Sequence, residues 1–310
     1  MTTMIIELMN KLEELGRHKN SRSFFKIIII FFCVTFTSCA EKPTSLLSLE
    51  DNEQSSILVM SDQPVMSRSS NGIARLHNFL LSSGDPIQGF IVLIIDDMGL
   101  NHRFSSRAVK LPPEVTLSYL PYALDLKKQV TNASQAGHEI MLHLPMEAHQ
   151  MTDQDKVPNI LMVSMTPDEL EKKINWAFSQ IPEFTGVNNH MGSRFTEWSE
   201  GMEVLLGAIK KRGLFFLDSR TTAKSVAFGM AKKIELPFVQ RDVFVDHFQN
   251  DEAIYQQLSR LENIALKRGY VVAIAHPHPQ TIGILEKWVL TLPGKKLRLM
   301  SVQDLLKKFH

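Results

Sequence analysis

The sequence predicts an α/β domain built as a (β/α) barrel, complete or distorted, and two observations carry that expectation. From Ile87 onward short apolar runs alternate with amphipathic segments, which implies parallel strands joined by helices. Charged and imidazole side chains then follow nearly every apolar run, where the carboxyl ends of parallel strands carry their loops. Seven or eight such units fit within about 220 residues, so one domain suffices.

The first run, Phe90–Ile95, is mostly β-branched and reads as a strand buried on both faces, ending at Asp96 and Asp97 and a glycine turn. Two readings of the carboxylate pair stand: the first corner of an active site, or an Asx-rich turn capping a helix at Asn101–Lys110. Further strands are expected at Val115–Leu120, Glu139–Leu144, Thr185–Asn188, Leu214–Leu217, Ile234–Val239, Tyr270–Ala275 and Leu297–Ser301. Helices are expected near Leu124–Ala136, Pro167–Gln180, Glu197–Arg212, Asp251–Arg268 and Gln280–Leu290. Thr166-Pro167-Asp168-Glu169 is a helix start, with a capping threonine, proline at the first position and acids in the first turn. Arg212-Gly213 and Arg268-Gly269 are matching stops.

Before this domain lie two segments of different character. A basic stretch (Arg17, Lys19, Arg22, Lys26) leads into the apolar run Ile27–Phe36, too short to span a bilayer comfortably but fitting a secretory apolar core. Phe36-Thr37-Ser38-Cys39 resembles the lipobox of bacterial lipoproteins, except that Phe36 stands where leucine is preferred. Residues 1–39 are therefore read as a lipoprotein signal, a plain signal peptide or an uncleaved anchor, and each of these exports the rest. Residues 40–86, polar and proline-containing with one short helix at Ile73–Leu81, read as a flexible linker, and 87–310 as the folded domain.

The net charge of +1 argues against a nucleic-acid surface. The two cysteines, Cys33 and Cys39, lie upstream of the domain, which excludes a disulfide framework or a cysteine metal site. Any metal must be held by His, Asp or Glu. Those residues are abundant at the strand ends: Asp96 and Asp97, then His143 and Glu147, His190, Asp218 and Arg220, Asp242 and Asp246-His247, and His276 and His278. In a barrel these ends share one rim. His143 and Glu147 stand four apart, so a helical turn there would let them share a metal; otherwise Glu147 caps a turn or orients His143. Trp176 and Trp198 read as core rather than as sugar platforms.

Five stretches in order now carry a resemblance: Ile94-Ile95-Asp96-Asp97-Met98-Gly99, Gly137 to Glu147, Asn188-Asn189-His190-Met191-Gly192-Ser193, Leu217-Asp218-Ser219-Arg220-Thr221, and Ala275-His276-Pro277-His278-Pro279. Together they resemble the divergent polysaccharide deacetylases, a branch of the NodB-type carbohydrate esterases that share a deformed (β/α) barrel. The resemblance implies Asp96 as general base, Asp97 as metal ligand, His276 as general acid, and Asp218 and Arg220 as residues orienting the catalytic groups. It implies His143 as a second ligand, but Glu147 stands where the family has another histidine. His190 then completes an Asp97–His143–His190 shell, with Glu147 as ligand or orienter. Such a shell suits a divalent ion, Zn²⁺ best. The implied activity is removal of N-acetyl groups from a glycan; the export or membrane tethering read from residues 1–39 makes a polysaccharide or peptidoglycan-like glycan of the cell envelope the expected substrate. The rival is a catalytically idle barrel used to bind glycan or protein. A phosphoesterase is disfavoured because no run of basic residues marks a phosphate site.

Overall fold

The computed structural model describes residues 86–155 and 157–309, together with Gly72 and Ile73. The expected signal segment and all but Gly72, Ile73 and Pro86 of the linker lie outside these residues.

The strands form one parallel sheet: β1 (Gly89–Met98), β2 (Thr116–Tyr119), β3 (Ile140–Met146), β4 (Gly186–Met191), β5 (Phe215–Asp218), β6 (Phe238–Gln240), β7 (Val243–Phe244), β8 (Tyr270–Ala275) and β9 (Leu297–Leu299). Their spatial order is β6-β5-β4-β3-β2-β1-β8-β7, with β9 beside β1. β8 takes one edge of β1 from Phe90 to Ile95, so β9 and β2 divide the other, β9 at Gly89–Ile91 and β2 from Ile94 onward. The sheet curls into an incomplete barrel, open between β6 and β7, which bears out the deformed (β/α) architecture.

Helices surround it: α1 (His102–Ala108), α2 (Leu126–Gln135), α3 (Pro167–Gln180), α4 (Ser199–Lys211), α5 (Ala227–Lys233), α6 (Asp251–Arg268), α7 (Pro279–Trp288) and α8 (Val302–Phe309). α3 begins as expected: the Thr166 hydroxyl accepts from Glu169 N while the Glu169 carboxylate accepts from Thr166 N. α6 ends at Gly269 with φ +90°, a conformation that costs glycine little.

The sixth apolar run behaves differently from expectation. Ile234 closes the short helix α5, Glu235 turns into the left-handed region at φ +52°, and the strand begins only at Phe238. Pro237 has no N–H to give a ladder, so it sits before the strand rather than within it. α5 itself contains Gly229, a weak helix former, which hides it from a periodicity reading.

Side-chain alternation sorts the sheet into two apolar clusters. Ile91, Leu93 and Ile95 of β1 pack outward under the helices, with Leu142, Leu144, Val187 and Phe216. Val92, Ile94, Met141, Phe215, Leu217, Val272 and Ile274 fill the inside, closed below by Val302 and Leu305 of α8. α8 is itself tied down by Glu139, whose buried carboxylate accepts from Val302 N (2.7 Å), Gln303 N (3.2 Å) and the hydroxyls of Thr116 and Thr185 (both 2.9 Å). Four donors on one carboxylate mean that truncation orphans two helix N–H groups and the Thr116 hydroxyl together, while Thr185 keeps the Ile140 carbonyl at 3.2 Å. Glu139→Ala should therefore lower stability by about 2–4 kcal/mol, seen as an earlier midpoint in thermal or urea unfolding.

Candidate metal centre and active-site rim

The same alternation that packs the interior builds the site. Continuing each inward-facing row by two residues replaces apolar by polar side chains: Val92, Ile94, then Asp96; Met141, then His143; Phe215, Leu217, then Ser219; Val272, Ile274, then His276; the β4 row is polar already at Asn188 and continues to His190. The interior is thus apolar below and chemically equipped at the carboxyl end of the strands.

Asp97 should by alternation face the helices, but the pairing of β1 with β2 slips between Ile95 and Met98, and Asp97 adopts φ +54°. This bulge turns its carboxylate back to the inner face, so two consecutive acids serve one site. Met191 (φ +55°) and Gly192 (φ +83°) make a corresponding turn after His190, and Arg220 (φ +49°) one after β5. Left-handed backbone thus occurs at the carboxyl ends of three strands that carry rim residues.

Asp97 Oδ1 lies 3.2 Å from His143 Nε2 and 2.9 Å from His190 Nδ1, and those two nitrogens are 3.2 Å apart. A tetrahedral ion with bonds of about 2.0–2.1 Å separates its ligands by about 3.3 Å, so the triangle has the right size. Asp97 Oδ1 is also buried without a hydrogen bond of acceptable geometry, although two ring nitrogens stand beside it. Orphaned acceptors are rare in native interiors, and a cation is the natural partner for this one. Asp97, His143 and His190 therefore fit a divalent metal.

His143 Nδ1 contacts Asn188 Oδ1 at 2.9 Å, an oxygen that also accepts from the Ser118 hydroxyl at 2.7 Å. Because a carboxamide oxygen only accepts, Nδ1 carries the proton and Nε2 is left to face the acids. The Asn188 amide nitrogen donates to both Asp96 oxygens (2.8 and 3.0 Å) and to Ser219 Oγ at 3.2 Å. Burial pushes the Asp96 carboxyl up, against the pull of His143, His276 and Asn188. Burial also opposes charge on Asp97, yet the two imidazoles hold its carboxyl well below the usual range. Burial likewise disfavours an imidazolium at His143, and the neighbouring acids outweigh it, raising its pKa.

Across the rim, His276 Nδ1 donates to Asp246 Oδ1 at 2.8 Å, while Asp246 Oδ2 accepts from His276 N (2.8 Å) and the Thr281 hydroxyl (2.9 Å). Burial works against the charged ring, but the Asp246 carboxylate outweighs it and lifts His276 to about 9. His276 is thus protonated at neutral pH with Nε2 left for the cleft. Sequence inspection notes Asp246 only as a strand-end acid; its tie to His276 comes from the adjacency of β7 and β8.

The remaining candidates are placed elsewhere. β3 runs through Met146, so His143 and Glu147 lie on an extended segment about 13 Å long, and no helical turn brings them together. Glu147 is outside the ligand triangle: its carboxylate accepts from Arg194 Nη1 and Val163 N, both at 2.7 Å, and ties two loops behind His190. Orientation of His143, expected of Glu147, falls to Asn188. Asp218 has the opposite parity to Ser219, and its carboxylate accepts from Arg220 N at 2.8 Å. Arg220 Nη1 donates to Gln240, not to the acids of the rim. Trp176 and Trp198 pack against the helix-side core, Trp198 edge-to-face with Phe195.

The architecture and the rim define an incomplete parallel (β/α) barrel with a candidate Asp-His-His metal centre at its carboxyl end. The chain belongs to the divergent polysaccharide deacetylase family, whose match spans residues 93–306. It is 33% identical over 215 residues to the uncharacterized protein YibQ of Escherichia coli (strain K12), covering 69% of this chain and 67% of that one. An uncharacterized protein of Haemophilus influenzae is 30% identical over 209 residues, 66% of this chain and 73% of its own. The crystal structure of an uncharacterized protein from Agrobacterium tumefaciens C58 superposes with a TM-score of 0.68 at 28% identity, covering 74% of this chain and 94% of that one.

Two outcomes follow. Asn188→Leu leaves His143 Nδ1 without its acceptor and should weaken zinc binding about 10–100-fold, measured by competition with a chelating dye. For the His276–Asp246 pair, the histidine's folded pKa of about 9 lies above its ordinary 6.5. Its stabilisation is therefore complete below about pH 6.5 and lost as pH rises through about 9. The Asp246 carboxyl is lowered, with burial opposing and His276 favouring its charge, so its share holds above the usual carboxylate range and is lost in acid. Asp246→Asn should then cost on the order of 2 kcal/mol near neutrality and much less at about pH 10, read from urea denaturation at both.

Proposed function

We propose that this chain is a metal-dependent hydrolase that removes N-acetyl groups from an amino-sugar glycan of the cell envelope. The reading is supported by the convergence of a three-donor ligand triangle, a second buried carboxylate and a histidine paired with Asp246 on one rim, in a member of the deacetylase family. Asp97, His143 and His190 would hold the metal, zinc by its donor set. Bound there, a divalent ion polarises the acyl carbonyl and lowers the pKa of water.

The chain's own groups then divide the proton chemistry. Asp96, both of whose oxygens accept from the Asn188 amide nitrogen and whose pKa is raised by burial, takes the proton of the attacking water. Water adds to the acetyl carbon and the carbon–nitrogen bond breaks. His276 supplies a proton to the departing amine from Nε2, its ring held in place by Asp246 through Nδ1. The products are acetate and a free amino sugar. Export of the domain by its N-terminal segment, with the linker as tether, would place it beside an N-acetylated glycan in the envelope.

Acetate release from N-acetylglucosamine oligosaccharides by the zinc-loaded chain tests this reading. Asp96→Asn and His276→Gln should each lower kcat/KM about 10²–10⁴-fold while zinc stoichiometry stays near that of the parent; His276→Gln, which strips Asp246 of its partner, should also lower the unfolding midpoint. A zinc-loaded parent that releases no acetate from any N-acetylated glycan would instead support the binding-barrel alternative.

A further inference from the structure

Beside the rim, at the carboxyl ends of β5 and β6, lies a solvent-open cleft of about 400 Å³ lined by Arg220, Thr222, Ala223, Gln240, Arg241 and Asp242. The pairing of Leu217 with Val239 and of Asp218 with Gln240 brings Arg220 and Arg241 together at its wall. Arg241 is held from behind: Nε donates to Ser219 O (2.6 Å), Nη2 donates to Arg220 O (2.8 Å), and the guanidinium lies 3.7 Å above the Phe244 ring. Arg220 is exposed, with Nη1 donating to Gln240 Oε1 at 3.2 Å.

Among the described residues neither guanidinium reaches a carboxylate at ion-pair distance. Asp218, Asp242 and Asp96 lie in the field of Arg241 without bridging it. Asp242, the acid in the cleft wall, is already engaged by the Arg268 guanidinium and by Val272 N. Burial first, and the adjacent Arg220 charge second, depress the Arg241 pKa to about 10, against the opposing pull of Asp218, Asp242 and Asp96. Such an arrangement costs free energy unless an anion occupies it. The cleft also joins the reaction centre through hydrogen bonds, because Ser219, whose carbonyl holds Arg241, meets the Asn188 amide that grips Asp96.

We propose that the Arg220–Arg241 cleft is an anion subsite that binds a carboxylate on the glycan, so that the substrate is an acidic amino-sugar polymer rather than a neutral one. A planar carboxylate matches the fork of a guanidinium whose plane is already fixed by an aromatic ring and two carbonyls. The proposal rests on the deacetylase reading and names its substrate class.

The test compares two tetrasaccharides by isothermal titration on the full zinc-loaded chain carrying Asp96→Asn to stop turnover. One is built of N-acetylglucosamine alone; the other alternates N-acetylglucosamine with N-acetylmuramic acid, which adds a carboxylate to every second sugar. The acidic probe should bind about tenfold more tightly, with the advantage shrinking as salt is added. Arg220→Gln should cut that preference to about twofold or less. Since Arg241 also supports two rim carbonyls, Arg241→Lys, which keeps charge and loses the fork, serves as the second variant and should reduce the preference as well. Equal affinity of the parent for both probes, or a preference untouched by Arg220→Gln, overturns the subsite and leaves the deacetylase reading standing. Failure to bind either probe overturns both. Tighter binding of a 6-phosphorylated N-acetylglucosamine tetrasaccharide than of the carboxylate probe overturns the carboxylate assignment in favour of phosphate.

Discussion

The carboxamide of Asn188 is the interaction on which the rest of the site depends. It is fully buried on β4, yet its two polar atoms reach side chains from β1 (Asp96), β2 (Ser118), β3 (His143) and the end of β5 (Ser219). Its orientation is forced, since Asp96 can only accept and the Ser118 hydroxyl and His143 Nδ1 donate into the remaining oxygen. One amide thereby sets the tautomer of a candidate metal ligand and the position of the candidate base. A buried polar network of this kind is stable only when every member is satisfied, which couples the strands of the barrel to one another through the site.

The outward and inward apolar clusters supply the frame that makes such a network affordable in an interior. α8 closes the lower end with Val302 and Leu305, anchored by Glu139, so polar groups are confined to the upper end where the loops begin. At that end the backbone itself departs from regularity. Asp97, Met191 and Arg220 all take positive φ, each at or just past the carboxyl end of its strand, where regular pleating breaks off. Regular pleating would send Asp97 under the helices, away from His143 and His190.

The opening of the sheet between β6 and β7 has a consequence of its own. A closed barrel would pair these strands and cover the ground between them; here the gap is flanked by Arg241 and Phe244, with His276 stacked beyond Phe244 at 5.9 Å. The irregular side of the fold therefore carries both the arginine cleft and the Asp246–His276 pair.

Much of this was legible in the sequence. Phe90–Ile95 announces the central strand because its β-branched run has no polar face, and Asp96, Asp97, His143, His190 and His276 stand at strand ends because parallel strands put their chemistry there. The Thr166 capping box and the Gly269 stop are local signals and survive folding unchanged. Other features depend on which strand lies beside which, and by what register: the tie of Asp246 to His276 across β7 and β8, the meeting of Arg220 with Arg241 across β5 and β6, and the exile of Glu147 to Arg194. Sequence determined the elements, the inward and outward faces and the residue types at the rim, because periodicity and capping are properties of neighbouring residues. Only the tertiary structure decided which of those residues share a site, because a bulge at Asp97, a missing turn after His143 and an unclosed sheet edge are settled by packing between segments far apart in the chain.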